Sequence, residues 1–355
     1  MNAKSVGVIG AGAWGTAVAQ ALARGGNTVE IWAREQEVVD SINHGHENSR
    51  YLPKFKLSEN LTASTDMLKV AQDKEFLILA SPSLYLASTV SQLLDVPSIK
   101  DGSTCIGVLT KGFVPSDKGP RLILETLEEV LPPVYAKSLV YISGPSHAEE
   151  VAMGKLTGLI AASENPMNSI RFRELLRVRG LMVYSSLDVV GVQICAAAKN
   201  VIAVVFGSLD AVAETSDLFG DNAESLLLAA GLDEIRTLGF AMGATHAETF
   251  SSIAGVGDLD VTCRSKYGRN RRFGHEIIQK DLLGKFSSLD DLIAHIGEIG
   301  YLPEGAVACK YIHQICEEKG LKLPICAGLY RILNKEIAPI DFMYELLGQP
   351  LLGLN

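Results

Sequence analysis

Gly10-Ala11-Gly12-Ala13-Trp14-Gly15 is a G-x-G-x-x-G run. The first glycine permits a tight turn, the second lets the main chain approach a pyrophosphate, and the third lets a following helix pack close to a sheet. The chemistry is anion binding, by free N–H groups at a helix start and by the positive end of its dipole. Taken alone, the spacing also fits an ordinary glycine turn. It gains meaning from its context: a β-type run, Ser5–Ile9, precedes it and an Ala/Leu-rich helical stretch, 16–24, follows. After the next strand candidate, Thr28–Trp32, comes Ala33-Arg34-Glu35. Arg34 could stack on adenine or pair with a 2′-phosphate, whereas Glu35 could serve as a first-turn acid of the next helix. NAD and NADP both stay open.

A nicotinamide cofactor implies hydride transfer, which needs a proton donor or acceptor, a group to polarise oxygen, and an anchor for the substrate. Lys199 is the acid/base candidate, because the stretch around it, 194–205, is almost entirely small or apolar. Burial alone disfavours an ammonium and brings its proton within exchange range; the competing reading is a lysine whose tip reaches water. Asp258 lies in Gly255-Val256-Gly257-Asp258-Leu259. It reads either as a helix cap or as a carboxylate that orients Lys199 or a substrate hydroxyl, and glycine-flanked acids more often cap. Arg264, Lys266, Arg269, Arg271, Arg272 and His275 crowd one stretch that contains no acid. With Gly268-Arg269-Asn270 opening a helical run, this is the clearest anion site in the sequence; a solvated basic surface is the alternative. Lys111 follows a strand candidate at 104–109, at the edge where open α/β sheets bind ligands. Gly144-Pro145-Ser146-His147-Ala148 stands at another such edge. It misses a G-x-S-x-G nucleophile elbow by one glycine, and Ser146-x-x-Glu149 also reads as a capping box. His44-Gly45-His46 has too few partners for a metal site, and no metal is expected.

These residues need elements to hold them. Strand candidates at Ser5–Ile9, Thr28–Trp32, 76–80, 104–109, 139–143, Thr157–Ala162 and 181–184 alternate with helical stretches at 16–24, 84–94, 120–131 and 146–153. That order predicts an α/β, Rossmann-like doubly wound sheet. Beyond residue 188 only helical periodicity remains, at 189–209, 223–243, 271–280, 289–296, 305–319 and 327–334. The expected organisation is a dinucleotide-binding domain over 1–189 and an all-α, substrate-binding C-terminal domain over 190–355. A chain of 355 residues is long enough for two cores. It is 47% hydrophobic and 21% charged, with a formal charge of −9. An acidic chain repels a nucleic-acid backbone, so no nucleic-acid partner is expected, and any phosphate site must be built locally against the global field. Six scattered cysteines form no C-x-x-C pair and read as reduced thiols of a cytoplasmic protein. The apolar N-terminus is broken by the glycine fingerprint, and the apolar stretch 191–209 by Gln193, Lys199 and Asn200. Neither an export signal nor membrane insertion is expected. A homodimer is the base-rate assembly for a soluble enzyme of this size.

In order along the chain, VIGAGAWGTA (8–17), LTKG (109–112), ISGPSHAEE (142–150), GVQICAAAKNVIA (191–203), GVGDLDVTC (255–263) and GRNRRFG (268–274) resemble the bacterial glycerol-3-phosphate dehydrogenase (NAD(P)+) family over nearly the whole length. PEG at 303–305 is a weaker match. The resemblance implies interconversion of glycerol 3-phosphate and dihydroxyacetone phosphate with NAD or NADP, supplying glycerophospholipid synthesis. It implies Lys199 as the proton acceptor, Lys111 as a contact to both cofactor and substrate, and Asp258 at the site. Arg269 and Asn270, with Gly268, fall on the positions that hold the substrate phosphate, Arg269 also lying near the cofactor. Gly144 and Ser146 fall on substrate positions. Cofactor positions are Gly10, Gly12, Ala13, Trp14, Gly15, Arg34, Ala148, Leu302 and Glu304. The sequence departs from the family pattern at Glu224, where a basic residue is usual, and at Ala230. Gly207–Phe219 looks longer than the family's usual segment.

Overall fold

The computed structural model describes residues 3–116, 119–265 and 268–347. Two compact units emerge, residues 1–114 with 121–189 and residues 115–120 with 190–355.

The first unit is built on an eight-stranded sheet. Its strands are β1 (Ser5–Ile9), β2 (Thr28–Trp32), β3 (Leu61–Ser64), β4 (Phe76–Leu79), β5 (Cys105–Val108), β8 (Val140–Ser143), β9 (Thr157–Ala162) and β10 (Leu181–Ser186), in the order β10-β9-β8-β5-β4-β1-β2-β3. A short antiparallel pair, β6 (Phe113–Val114) and β7 (Arg121–Leu122), stands apart. The order reverses between β1 and β4, the arrangement of a doubly wound dinucleotide fold. Among the described residues eight α-helices accompany it: α1 (Ala13–Arg24), α2 (Gln36–Gly45), α3 (Met67–Ala71), α4 (Ser83–Ser91), α5 (Pro97–Lys100), α6 (Ile123–Val130), α7 (Ala148–Met153) and α8 (Pro166–Leu176). β1, β4 and β5 are apolar on both faces because helices cover both sides, as parallel strands require. β9 runs antiparallel to β8, so the sheet is mixed at one end. The sequence reading passes over β3 and over α3, α5 and α8, and gives no range to the helix after β2, which is α2. It also places helix at 120–122, where Arg121–Leu122 pairs with Phe113–Val114 before the helix begins.

The second unit is helical. It contains α9 (Val189–Ala213), α10 (Asp221–Ala241), α11 (Glu248–Ser251), α12 (Asp258–Arg264), α13 (Arg269–Gln279), α14 (Leu289–Ala294), α15 (Glu304–Lys319), α16 (Pro324–Leu333) and α17 (Pro339–Leu347). α9 is long and apolar enough to cross a membrane, yet 94% of its most apolar stretch is buried inside the protein. It is the central core helix. α13 crosses it at very close range: a Cβ on Gly274 would stand 1.8 Å from the Val204 carbonyl oxygen, and one on Gly207 1.9 Å from that of Arg271. α15 begins against the same helix, where a Cβ on Gly305 would lie 2.4 Å from the Asn200 carbonyl oxygen. Small residues at these crossings bring α13 and α15 to the level of Lys199 and Asn200.

Candidate active site

In the first unit the glycine run forms the turn from β1 into α1. Gly10 has φ +125°, and a Cβ there would stand 2.8 Å from the Ala80 carbonyl group. A Cβ on Gly15 would lie 2.1 Å from the Gly10 carbonyl oxygen, so the helix seats on the turn only with glycine at that position. Beside Gly12, by contrast, a Cβ would meet nothing within 4 Å. α1 has no side-chain cap and no acid in its first turn. The first-turn amides, those of Ala13 and Trp14 among them, therefore have no intrahelical acceptor. A backbone cradle with open space at Gly12 and no competing acid fits a pyrophosphate. Arg34 projects into solvent with 82% side-chain exposure and meets Glu35 at 3.3 Å. Glu35 occupies the N-cap position of α2 without capping it, and takes Tyr51 Oη at 3.2 Å. The first-turn reading of Glu35 is thereby corrected.

Lys111 follows β5 by three residues, and Gly144 follows β8 directly. Ser146 Oγ donates to the Gly144 carbonyl oxygen at 2.9 Å. The N-cap of α7 is His147, with Ala148 its first helical residue, so the capping box expected of Ser146 and Glu149 does not form. The hydroxyl is drawn back to its own turn instead.

In the second unit Lys199 on α9 and Asp258 at the start of α12 form a buried ion pair, with the residues 6% and 1% exposed. Lys199 does not reach out to water, and Asp258 does not cap its helix. The turn before α12 is a π-type segment, Ile253–Gly257, whose start is capped by Ser252. Isolated, either charge would be costly to bury; paired, each offsets the other, and removing one partner strands the second. Next to the pair lies an amide network. Asn270 Nδ2 donates to Asn200 Oδ1 at 2.9 Å, and the Gly305 amide donates to Asn270 Oδ1 at 2.9 Å. Asn200 Nδ2 reaches Glu304 Oε2 at 3.4 Å, and Arg269 approaches Glu304 Oε1 at 3.8 Å. Leu302 precedes this turn, and its carbonyl accepts from the Glu304 amide. The sequence reading left Asn200 out, although a second polar residue beside Lys199 in so apolar a helix was itself a signal.

The basic stretch needs correction. Lys266 lies outside the described residues. Arg264 is held by Glu224 at 3.1 Å and Asp260 at 2.9 Å, Arg271 by Asp210, Arg272 by Glu276 at 2.9 Å, and His275 by Glu214 at 2.8 Å. Most of these acids come from α9 and α10, or from the chain just after α9, and a linear window does not see them. Arg269 is the arginine of the stretch held most loosely. Its side chain is 59% exposed at the first turn of α13, where Gly268 is the N-cap and that turn holds no acid.

Comparison with known proteins gives the family. Residues 5–169 match the family model for the NAD-dependent glycerol-3-phosphate dehydrogenase N-terminus, and residues 188–344 match that for its C-terminus. The chain belongs to this family. It is 62% identical over 353 residues to glycerol-3-phosphate dehydrogenase (NAD(P)+) of Treponema denticola, covering 98% of this chain and 99% of that one. The corresponding enzyme of Bacillus subtilis is 37% identical, over 93% and 90% of the two chains. Among solved structures, glycerol-3-phosphate dehydrogenase of Coxiella burnetii superposes with a TM-score of 0.83 at 30% identity, covering 98% and 99%. Members of this family are NAD(P)-dependent oxidoreductases, and both the N-terminal and the C-terminal family models match here.

Proposed function

We propose that this chain interconverts glycerol 3-phosphate and dihydroxyacetone phosphate, and that the buried Lys199–Asp258 pair is its proton-transfer device. The observation that carries the reading is that pair, set beside the Asn200–Asn270 network in a chain of this family. When bound, NAD(P)H would supply the hydride for the central carbonyl carbon, and the reverse reaction would return it to NAD(P)+. Lys199 delivers a proton from Nζ to the carbonyl oxygen as that oxygen gains charge, and recovers it in the reverse reaction. Asp258 holds the ammonium in place and compensates its burial. Lys111 is assigned, from the family resemblance, to stabilising negative charge on a substrate oxygen. Arg269 and the first-turn amides of α13 hold the phosphate. Both oxygen and nitrogen of the Asn270 side chain are engaged within the protein, so that side chain brings one remaining N–H to the phosphate and otherwise fixes the start of α13. Glycine-loop amides from Gly10 to Gly15, with Ala148, Leu302 and Glu304, belong to the cofactor side of this assignment, and Gly144 and Ser146 to the substrate side.

The test is loss of NADH or NADPH absorbance with purified protein and dihydroxyacetone phosphate, run beside unphosphorylated dihydroxyacetone. Oxidation with the phosphate ester alone supports the reading; equal rates with both would move it to another hydroxyacid or polyol dehydrogenase. Supply of glycerophospholipid synthesis and a cytoplasmic location follow from the same proposal. A homodimer would appear by light scattering as twice the chain mass.

A further inference from the structure

Asn48 is fully buried, 37 residues in sequence from Ala11 of the glycine run. Its Nδ2 donates to the Ala11 carbonyl oxygen at 2.8 Å and to Thr16 Oγ1 at 2.8 Å. Its Oδ1 accepts from the Tyr51 amide at 3.0 Å. Thr16, also fully buried, donates from Oγ1 to the same Ala11 oxygen at 3.2 Å. One carbonyl inside the cofactor turn is thus held by two buried side chains. A further buried polar residue, Gln20, ties the same segment to α1: its Nε2 donates to the Lys56 carbonyl oxygen at 3.1 Å and its Oε1 accepts from the Ser58 amide at 2.7 Å. Residues 48–58 therefore run as a strap over the first two turns of α1.

The peptide plane gives this clasp its consequence. A trans peptide directs its C=O and the following N–H to opposite sides. Fixing the Ala11 oxygen inward therefore fixes the Gly12 N–H outward, at the residue whose absent side chain leaves open space. We propose that Asn48 is a positioning residue for the cofactor: it clamps the Ala11–Gly12 peptide so that the Gly12 amide is aimed at the pyrophosphate before the cofactor arrives. A preset amide needs no reorganisation on binding, whereas a loose one must be ordered by the ligand. The inference rests on the cofactor reading given above. It does not make Asn48 a ligand contact, since its own polar atoms are engaged inside the protein.

The experiment is equilibrium binding rather than turnover. Calorimetry with NADH and ADP, and ligand-observed NMR with adenosine, are run on the unmodified full chain, on Asn48→Ala and on Thr16→Val. ADP carries the pyrophosphate and adenosine does not. A clasp predicts that Asn48→Ala weakens NADH and ADP by about tenfold, the scale of one misaimed hydrogen bond to a charged group, while adenosine binds as before. Thr16→Val moves in the same direction by less, and carries the test if Asn48→Ala does not fold. Equal losses for ADP and adenosine would show that Asn48 merely supports the strap, and unchanged ADP binding would show that the peptide needs no clamp; either result overturns the proposal. An unmodified chain that binds neither NADH nor ADP would overturn the cofactor reading as well, and this outcome is visible before any variant is made.

Discussion

Lys199 and Asp258 are each other's reason for being buried, and this sets what their variants do. Asp258→Asn leaves an ammonium without its counter-charge, which costs about 3–5 kcal/mol of stability when a buried pair is broken. An apolar replacement of both, Lys199→Met with Asp258→Leu, removes the stranded charge. Thermal unfolding should therefore show the double variant recovering most of the loss. Turnover should not recover, because proton transfer contributes about 10²- to 10⁴-fold; recovery of turnover would remove the pair from the mechanism. At Arg34, exposed beside Glu35, the expected change is selective. Arg34→Ala should lower the rate with NADPH more than with NADH, since only NADPH presents a 2′-phosphate, and equal losses would place Arg34 away from the ribose. The lysine was legible because a charge among small apolar residues needs an explanation. The partnership of Asp258 stood only as the weaker of two readings, because its glycine neighbours imitate a helix cap and its partner lies 59 residues away.

Elements meet through contacts that a linear window misses, and Glu234 on α10 is an example. Its carboxylate accepts from the amides of Ile325 and Cys326 at the start of α16, tying two helices together across 91 residues. Burial pushes its pKa up, from the ordinary 4.5 to about 7, and the backbone hydrogen bonds only partly oppose this. Folded chains therefore keep this proton over a range where unfolded chains have lost it. The stability it contributes is full below about pH 4.5 and is lost as pH rises to about 7. Unfolding temperatures measured between pH 5 and 8 should decline through this group, and Glu234→Gln, which cannot ionise, should flatten that decline. An unchanged slope would mean that other groups govern it. Gly274 marks a second junction: Gly274→Ala forces a Cβ to 1.8 Å from the Val204 oxygen, and overpacking of this kind costs about 1–3 kcal/mol. Most long helices were legible from their period. The short ones at 248–251 and 258–264, like strand β3, carry too few residues to establish a pattern. The departure at Glu224 has a local account as well, because its carboxylate takes Arg264.

At the scale of the whole molecule, composition and alternation sufficed for a dinucleotide-type sheet followed by helices. They did not reveal how charge is distributed. A stretch read as an anion site is largely neutralised by acids, several of them distant in sequence, so that among the described residues what remains for a phosphate is one loosely held arginine and the first turn of α13. A chain of net charge −9 then opposes an anionic substrate at long range and attracts it only at short range. These two influences respond differently to salt. At about 0.1 M ionic strength the screening length is about 10 Å, so the diffuse repulsion is reduced while contacts at hydrogen-bond distance are much less affected. Raising sodium chloride from about 0.01 to 0.1 M should therefore leave the KM for dihydroxyacetone phosphate level or lower it. A surface that gathered phosphate through an exposed basic field would do the reverse, with KM climbing as the field is screened. Steady-state kinetics across that range, at saturating cofactor, separates the two. A steep rise in KM would mean that the carboxylates of Asp210, Glu214 and Glu224 do not neutralise the arginines and histidine they face, and would return the whole stretch, rather than Arg269 alone, to substrate binding.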